Sequence, residues 1–204
     1  MPEDVLEVAD PDKSIVVIDD FFRRPDAVLD LALRQEYVHD GRYPGERTQP
    51  QAHDGALAKV FERYVGKPIL RLESVFQIQP QPYEAQSYVH SDLCDWAAVL
   101  YLNKDHDGEP GTRFYRHRES GYDRFGLQPG GTASPHVRDG HDLDKWDVMM
   151  TVPIRFNRLV LYNAGLFHRN ASAWGTNVRD ARLVQSFFVA TTPPEDRLPA
   201  FMRK

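Results

Sequence analysis

Apolar residues recur along the chain with two different periods. In the first third they fall at helical spacing. Val28, Leu29, Ala32 and Leu33 form one stripe, and Leu57, Val60, Phe61, Tyr64 and Val65 form another. Pro25 with Asp26 beside it starts the first helix, and the pattern carries it to about Tyr37. Asp54 suits the cap of the second helix, and Gly66 ends it. A β-branched run, Ser14 to Ile18, precedes both and stops at Asp19-Asp20.

From residue 68 onward the pattern is that of strands. Arg71 to Gln79 alternates and is closed by Pro80 and Pro82. Trp96 to Leu102 is continuously apolar, which suits a strand buried on both faces. Thr112–Tyr115, Arg158–Tyr162 and Arg182–Val189 are further strands. Arg118 to Asp147 is a long glycine-bearing segment, expected to form a lid, with a short helix over Asp142–Met150 at its end. Many short strands after two helices predict an α+β, mainly β fold, a jelly roll buttressed by N-terminal helices, rather than alternating βαβ units. The expected organisation is a single domain over 1–204. Residues 1–67 supply the N-terminal strand and helices, and 68–190 the jelly-roll core, with the lid inserted at 118–147.

Composition narrows the function. A formal charge of -5 over 204 residues argues against a partner bound through a nucleic-acid phosphate backbone. Arg113, Arg116, His117 and Arg118 form a local basic cluster, read mostly as a solvated loop. A single cysteine, Cys94, excludes an internal disulfide and suits a reducing compartment. No apolar run is long enough to span a bilayer, and the acidic start is no secretory signal. The expectation is a soluble, cytoplasmic protein with no membrane partner.

The chemistry centres on Tyr88-Val89-His90-Ser91-Asp92. Two residues apart on an extended chain, the imidazole of His90 and the carboxylate of Asp92 point to the same side and can reach one ion. A third ligand from a distant strand would complete a facial triad with open positions, and His168 is the candidate. Arg182 opens the last apolar strand. An arginine aimed into a sheet interior is costly unless it meets an anion, and its planar fork suits a carboxylate. Arg179, in a turn-like Asn177-Val178-Arg179-Asp180, is its rival. On these residues a zinc hydrolase and a non-catalytic jelly-roll binding protein stay open beside an oxidative enzyme.

The order His-x-Asp, long gap, His, inward Arg resembles that of the iron(II)/2-oxoglutarate-dependent dioxygenases, most closely their prolyl-hydroxylase-like branch. Tyr101-Leu102-Asn103, the Gly111-Thr112-Arg113-Phe114 turn into strand, and the opening Val17-Ile18-Asp19-Asp20-Phe21-Phe22 are similar to stretches there. The resemblance covers roughly residues 70–190 apart from the lid. It implies a double-stranded β-helix in which His90, Asp92 and His168 bind catalytic Fe(II). Arg182 would take the distal carboxylate of 2-oxoglutarate, with Tyr101 donating its hydroxyl to the same group and Thr112 assisting. It further implies O2 as co-substrate and hydroxylation of a C–H bond in a small molecule, amino acid or peptide, with release of succinate and CO2. Because Asp92 is a carboxylate, no ligand position is left for halide, which disfavours a halogenase. Two departures from the pattern stand out: Arg182 lies far after His168, and the gap between Asp92 and His168 is long. Trp146, Trp174, Tyr115 and Tyr122 are read as core rather than pocket lining.

Overall fold

The chain builds two antiparallel sheets and moves repeatedly from one to the other. The structure, a computed structural model, describes residues 15–39, 41, 44–53, 55–125 and 135–193. Its strands are β1 (Ile15–Ile18), β2 (Glu46–Arg47), β3 (Gln51–His53), β4 (Arg71–Gln79), β5 (Trp96–Tyr101), β6 (Pro110–His117), β7 (Trp146–Pro153), β8 (Leu159–Asn163), β9 (His168–Asn170) and β10 (Arg182–Ala190). The helices are α1 (Pro25–Ala32), α2 (Gly55–Val65) and α3 (Pro135–Asp139). The larger sheet runs β1-β8-β5-β10-β4-β2, with β3 also on β4, and the smaller runs β7-β6-β9. A bridge between His90 and His168 adds the Tyr88–His90 stretch to the free edge of β9. From β4 to β10 the chain therefore visits large, small, large, small, small, large, small and large sheet in turn. That winding is a double-stranded β-helix, the mainly β fold expected from the pattern.

Residue alternation decides what each face buries. On β5, Trp96, Ala98 and Leu100 face the helices, while Ala97, Val99 and Tyr101 face the smaller sheet. The outer face of the large sheet packs Leu72, Phe76, Leu161 and Phe187 against Ala32, Phe61 and Val65 of α1 and α2. On β10, Leu183, Phe187 and Val189 belong to that outer layer and Val184 to the interior. Arg182, Ser186 and Phe188 share the parity of Val184 and so face the interior.

Several boundaries differ from the sequence expectation. α1 stops at Ala32 rather than near Tyr37. The backbone tightens through Arg34 N→Leu31 O and Gln35 N→Ala32 O, and the Tyr37 hydroxyl folds back to donate to Ala32 O at 3.0 Å. Asp54, the expected cap of α2, lies outside the described residues, and Gly66 does end the helix, at φ +71. The expected helix over Asp142–Met150 is a correction: only Leu143–Lys145 forms a 3₁₀ turn, and Trp146 onward is β7. Trp146, buried against Tyr115 and Phe167, fixes this strand beside β6, and a full ladder outweighs local helix preference. Most of the basic cluster is also not a loop; only Arg118 lies in a turn, just after β6. Arg113, Arg116 and His117 stand on β6, with His117 fully buried.

Candidate metal centre

His90 and His168 are placed by backbone bonds. His90 N donates to His168 O at 3.0 Å and His168 N donates to His90 O at 2.8 Å, so the two rings sit side by side with centroids 4.5 Å apart. Asp92 is held by its own N–H, which donates to Ala164 O at 2.8 Å. Its Oδ1 lies 4.0 Å from His90 Nε2 and its Oδ2 lies 3.4 Å from His168 Nε2. Three ligand atoms, one from each residue, fall within 4.8 Å of one another.

The protons are arranged for a cation. His90 Nδ1 lies 3.0 Å from Tyr88 O, and His168 Nδ1 lies 2.8 Å from Leu166 O. A carbonyl only accepts, so each Nδ1 carries a hydrogen and donates it. Burial, helped by His168 nearby, pulls the His90 pKa down to about 4, so at neutral pH this ring has one proton and Nε2 offers a lone pair toward Asp92. Burial pushes the Asp92 carboxyl up, but the neighbouring His168, with His90, outweighs it and holds the group below its usual range. Two imidazole nitrogens and an ionised carboxylate converging on one point form the donor set of a facial triad.

Between the sheets, next to Gly111 and Tyr101, lies Arg182. It is fully buried, and its Nε and Nη1 have no hydrogen-bond partner. Nη2 reaches only Gly111 O, at 3.5 Å. Among the described residues no carboxylate pairs with it. The guanidinium lies 5.8 Å from the ring centre of Tyr101, whose hydroxyl is 2.8 Å from Thr112 Oγ1. Burial raises the Tyr101 phenol, keeping it a protonated donor. Arg179 is exposed on the Asn177–Asp180 turn, its backbone N–H bonded to Asn177 Oδ1. The structure thus brings His90, Asp92 and His168 together and gathers Arg182, Tyr101 and Thr112 into a second group, of which Thr112 lines the triad's cavity, while Arg179 is exposed on its turn.

Some residues of this region escaped sequence reasoning. Tyr162 lies fully buried on β8, edge-on to His168 with centroids 4.7 Å apart, and lines the same narrow cavity as the triad, Thr112, Asn170 and Ser186. Within Leu159-Val160-Leu161-Tyr162 it reads as one more apolar strand position, and only the alternation that puts it on the inner face distinguishes it. Outside the triad opens a wider cleft of about 660 Å³, lined by Arg47, Thr48, Glu73, Val75, His136 and Phe188 among others. Arg47 comes from a two-residue strand too short to show a pattern. His136, on α3, is the part of the expected lid that reaches this cleft; residues 126–134 of that lid lie outside the described residues. Cys94 lines the cleft too, but burial pushes its thiol up to about 12, which keeps it protonated and poorly nucleophilic.

A second group, His117, Glu119 and Asp139, has metal-like spacing. Arg138 already lies 2.9 Å from Glu119 and 2.6 Å from Asp139, and His117 Nε2 lies 3.1 Å from Asp139, so the group is an ion-pair network.

Comparison with known proteins supports the architecture. Residues 3–189 match the model of a family described as "Family of unknown function (DUF6445)". No curated protein matches. Among solved structures, HygX from Streptomyces hygroscopicus, crystallised with nickel, 2-oxoglutarate and hygromycin B, superposes at a TM-score of 0.53 with 14% identity, over 87% of this chain and 83% of its own. SnoN, a non-heme alpha ketoglutarate dependent epimerase from nogalamycin biosynthesis, gives 0.52 and 14% over 92% and 80%. An oxidoreductase of the 2OG-Fe(II) oxygenase family from Burkholderia pseudomallei gives 0.50 and 10% over 87% and 84%. At such identities the likeness is one of fold, and the fold is that of the 2-oxoglutarate/iron(II) oxygenases.

Proposed function

The chain belongs to DUF6445, a family of unknown function, and we propose that within it this protein is an iron(II)- and 2-oxoglutarate-dependent dioxygenase that hydroxylates a C–H bond of a small molecule, amino acid or peptide. The observation that carries the reading is Arg182. A fully buried guanidinium with two unpartnered nitrogens is expensive unless an anion completes it. It lies in the same sandwich as a His-Asp-His set suited to iron. Other uses of the triad, hydrolysis included, leave that arginine unexplained. The fold neighbours named above, HygX among them with 2-oxoglutarate bound, support the same reading.

His90, Asp92 and His168 would hold the iron, and Arg182 the far carboxylate of 2-oxoglutarate. When bound, iron with 2-oxoglutarate and O2 supplies an oxidant for C–H bonds, one oxygen atom passing to the substrate and the other to succinate as CO2 leaves. The chain's own contribution is orientation. The Tyr88 and Leu166 carbonyls fix both imidazole tautomers. Thr112 holds the Tyr101 hydroxyl so that it can donate beside Arg182. Phe114, Val184 and Leu166 belong to the apolar interior between the sheets, and Arg182 is fully buried from solvent. We place the lid over the outer cleft on the segment 118–147, whose α3 end is pinned by Val89 N→Gly140 O and by Trp146 Nε1→Asp139 O. Among the described residues no helix is long and apolar enough to cross a membrane.

The test is anaerobic titration of the metal-stripped protein with Fe(II) and then 2-oxoglutarate. A weak visible charge-transfer band that needs both additions is expected. A protein that binds zinc tightly but never develops the band would overturn the assignment.

A further inference from the structure

Arg113 and Arg169 are direct neighbours across β6 and β9. Phe114 and His168, the next pair in register, face the interior between the sheets. Alternation therefore puts the two arginines on the outer face of the smaller sheet, with Tyr115 and Phe167. Side chains directly opposite on antiparallel strands start about 5 Å apart, where like charges repel. Neither guanidinium has an acid beside it among the described residues. Arg169 is only 8% exposed, and its one hydrogen bond, Nε→Asn170 O at 2.9 Å, leaves both terminal nitrogens unused. Arg113 is partly buried, and its buried Nε has no hydrogen-bond partner. The acids of the adjoining segments are engaged elsewhere. Arg138 lies 2.9 Å from Glu119 and 2.6 Å from Asp139, Arg118 lies 2.7 Å from Asp147, and Arg124 lies 3.5 Å from Asp123. Both guanidinia are always charged. Two such charges side by side, one of them almost wholly buried, are costly unless an anion completes them. Paired forks of this kind suit the oxygens of a dianion.

We infer that Arg113 and Arg169 form a binding site for a phosphate group, carried by inorganic phosphate or by a small phosphate monoester. The site stands apart from the chemistry proposed for the metal centre, since the pair faces the other side of the small sheet from His168. A monocarboxylate leaves one of the two charges unmatched and is the poorer ligand.

The experiment is a calorimetric titration at constant ionic strength with inorganic phosphate, glycerol phosphate and acetate. It is run on the protein alone and again with saturating Fe(II) and 2-oxoglutarate, oxygen excluded. Phosphate or its monoester should bind at one site in both series, and acetate roughly tenfold or more weakly. Binding of the monoester alone supports the site and makes a phosphorylated molecule its source. Arg113→Gln and Arg169→Gln should each weaken phosphate by about ten- to a hundredfold, the usual loss of one charge-assisted partner. Their 2-oxoglutarate affinity should stay within about twofold of native. Lysine at either position, which keeps the charge without the fork, should fall between. No saturable binding of phosphate or monoester by the native protein overturns the inference without needing a variant. So does acetate binding as tightly as phosphate, or phosphate binding that vanishes once Fe(II) and 2-oxoglutarate are loaded. Either Gln variant binding phosphate as the native protein does overturns it as well. If iron and 2-oxoglutarate fail to bind but phosphate still binds through Arg113 and Arg169, the dioxygenase reading falls and the phosphate site stands.

Discussion

The hydroxyl of Tyr101 lies 2.8 Å from that of Thr112, and this contact joins the large sheet to the small one directly beside Arg182. It exists because residue 111 is glycine. A Cβ there would fall 2.6 Å from Tyr101 Cζ and 2.8 Å from Val152 O, and closer still to the phenol oxygen. Backbone on one side and a buried ring on the other leave little room to yield. Gly111→Ala should therefore displace the phenol and cost about 1–3 kcal/mol of stability, the usual range for overpacking. Tyr101→Phe removes only the hydroxyl, leaves Thr112 without this partner, and should cost about 1 kcal/mol. Denaturant unfolding separates the two, and a Gly111→Ala protein as stable as the native one would show that the interior can shift.

Replacing His90, Asp92 or His168 by Ala should abolish iron binding and leave the fold intact. The bridge between His90 and His168 is made by backbone atoms, which alanine retains. Circular dichroism should be unchanged while iron retention after gel filtration is lost. A variant of any of the three that holds iron as tightly as the native protein would remove that residue from the proposed triad.

Much of the fold was legible because burial on one face imposes alternation. β4, β5, β8 and β10 are long or apolar enough to show it, and each lies within a residue or two of its expected bounds. β7 was misread because it is an edge strand. Its middle is largely exposed, so Asp147-Val148-Met149-Met150 carries no two-period signal. β2, β3 and β9 have two or three residues each, too few for any period. For the site, charged residues in unusual places were the readable part, as with Arg182 in an apolar run. Tyr162 and Arg47 were not readable, one because a buried phenol resembles any aromatic strand residue, the other because only tertiary pairing brings β2 to the cleft.

Acid should weaken the tie between β1 and the loop before β8. Asp19 accepts from Arg158 Nε at 2.6 Å and Nη2 at 3.0 Å, and from Arg155 Nη1 at 2.7 Å. The Arg158 hydrogen bond foremost, against partial burial, holds the Asp19 pKa below its ordinary 3.8. A carboxyl whose folded pKa is depressed stabilises above its unfolded pKa, and that gain is lost as pH falls through the folded one. Asp19→Asn should therefore lower stability at neutral pH, on the order of 1 kcal/mol for a partly exposed paired group. The difference between variant and native protein should shrink as pH drops below about 3.8. A difference that is constant across this range would mean that the pair acts through packing alone.

Arg182 gives the sharpest test, because removing it should have opposite effects with and without ligand. In the ligand-free protein it is a buried cation with no carboxylate partner among the described residues. Such a charge costs several kcal/mol unless compensated. Arg182→Met keeps much of the volume and discards the charge, so the ligand-free variant should melt at or above the native temperature. With saturating 2-oxoglutarate the order should reverse. The native protein gains stability in proportion to the logarithm of ligand over dissociation constant. The variant should gain almost nothing, having lost about 3–5 kcal/mol of a buried pair, roughly a thousandfold in affinity. Arg182→Lys should fall between, since a point charge does not reproduce the fork. Arg179→Ala should behave as native in both conditions, being exposed on its turn. Thermal melts of the four proteins with and without 2-oxoglutarate, in the presence of Fe(II) and absence of O2, read all of this at once. If Arg182→Met is strongly destabilised without ligand and still stabilised by it, the guanidinium is a structural element and the anchor lies elsewhere.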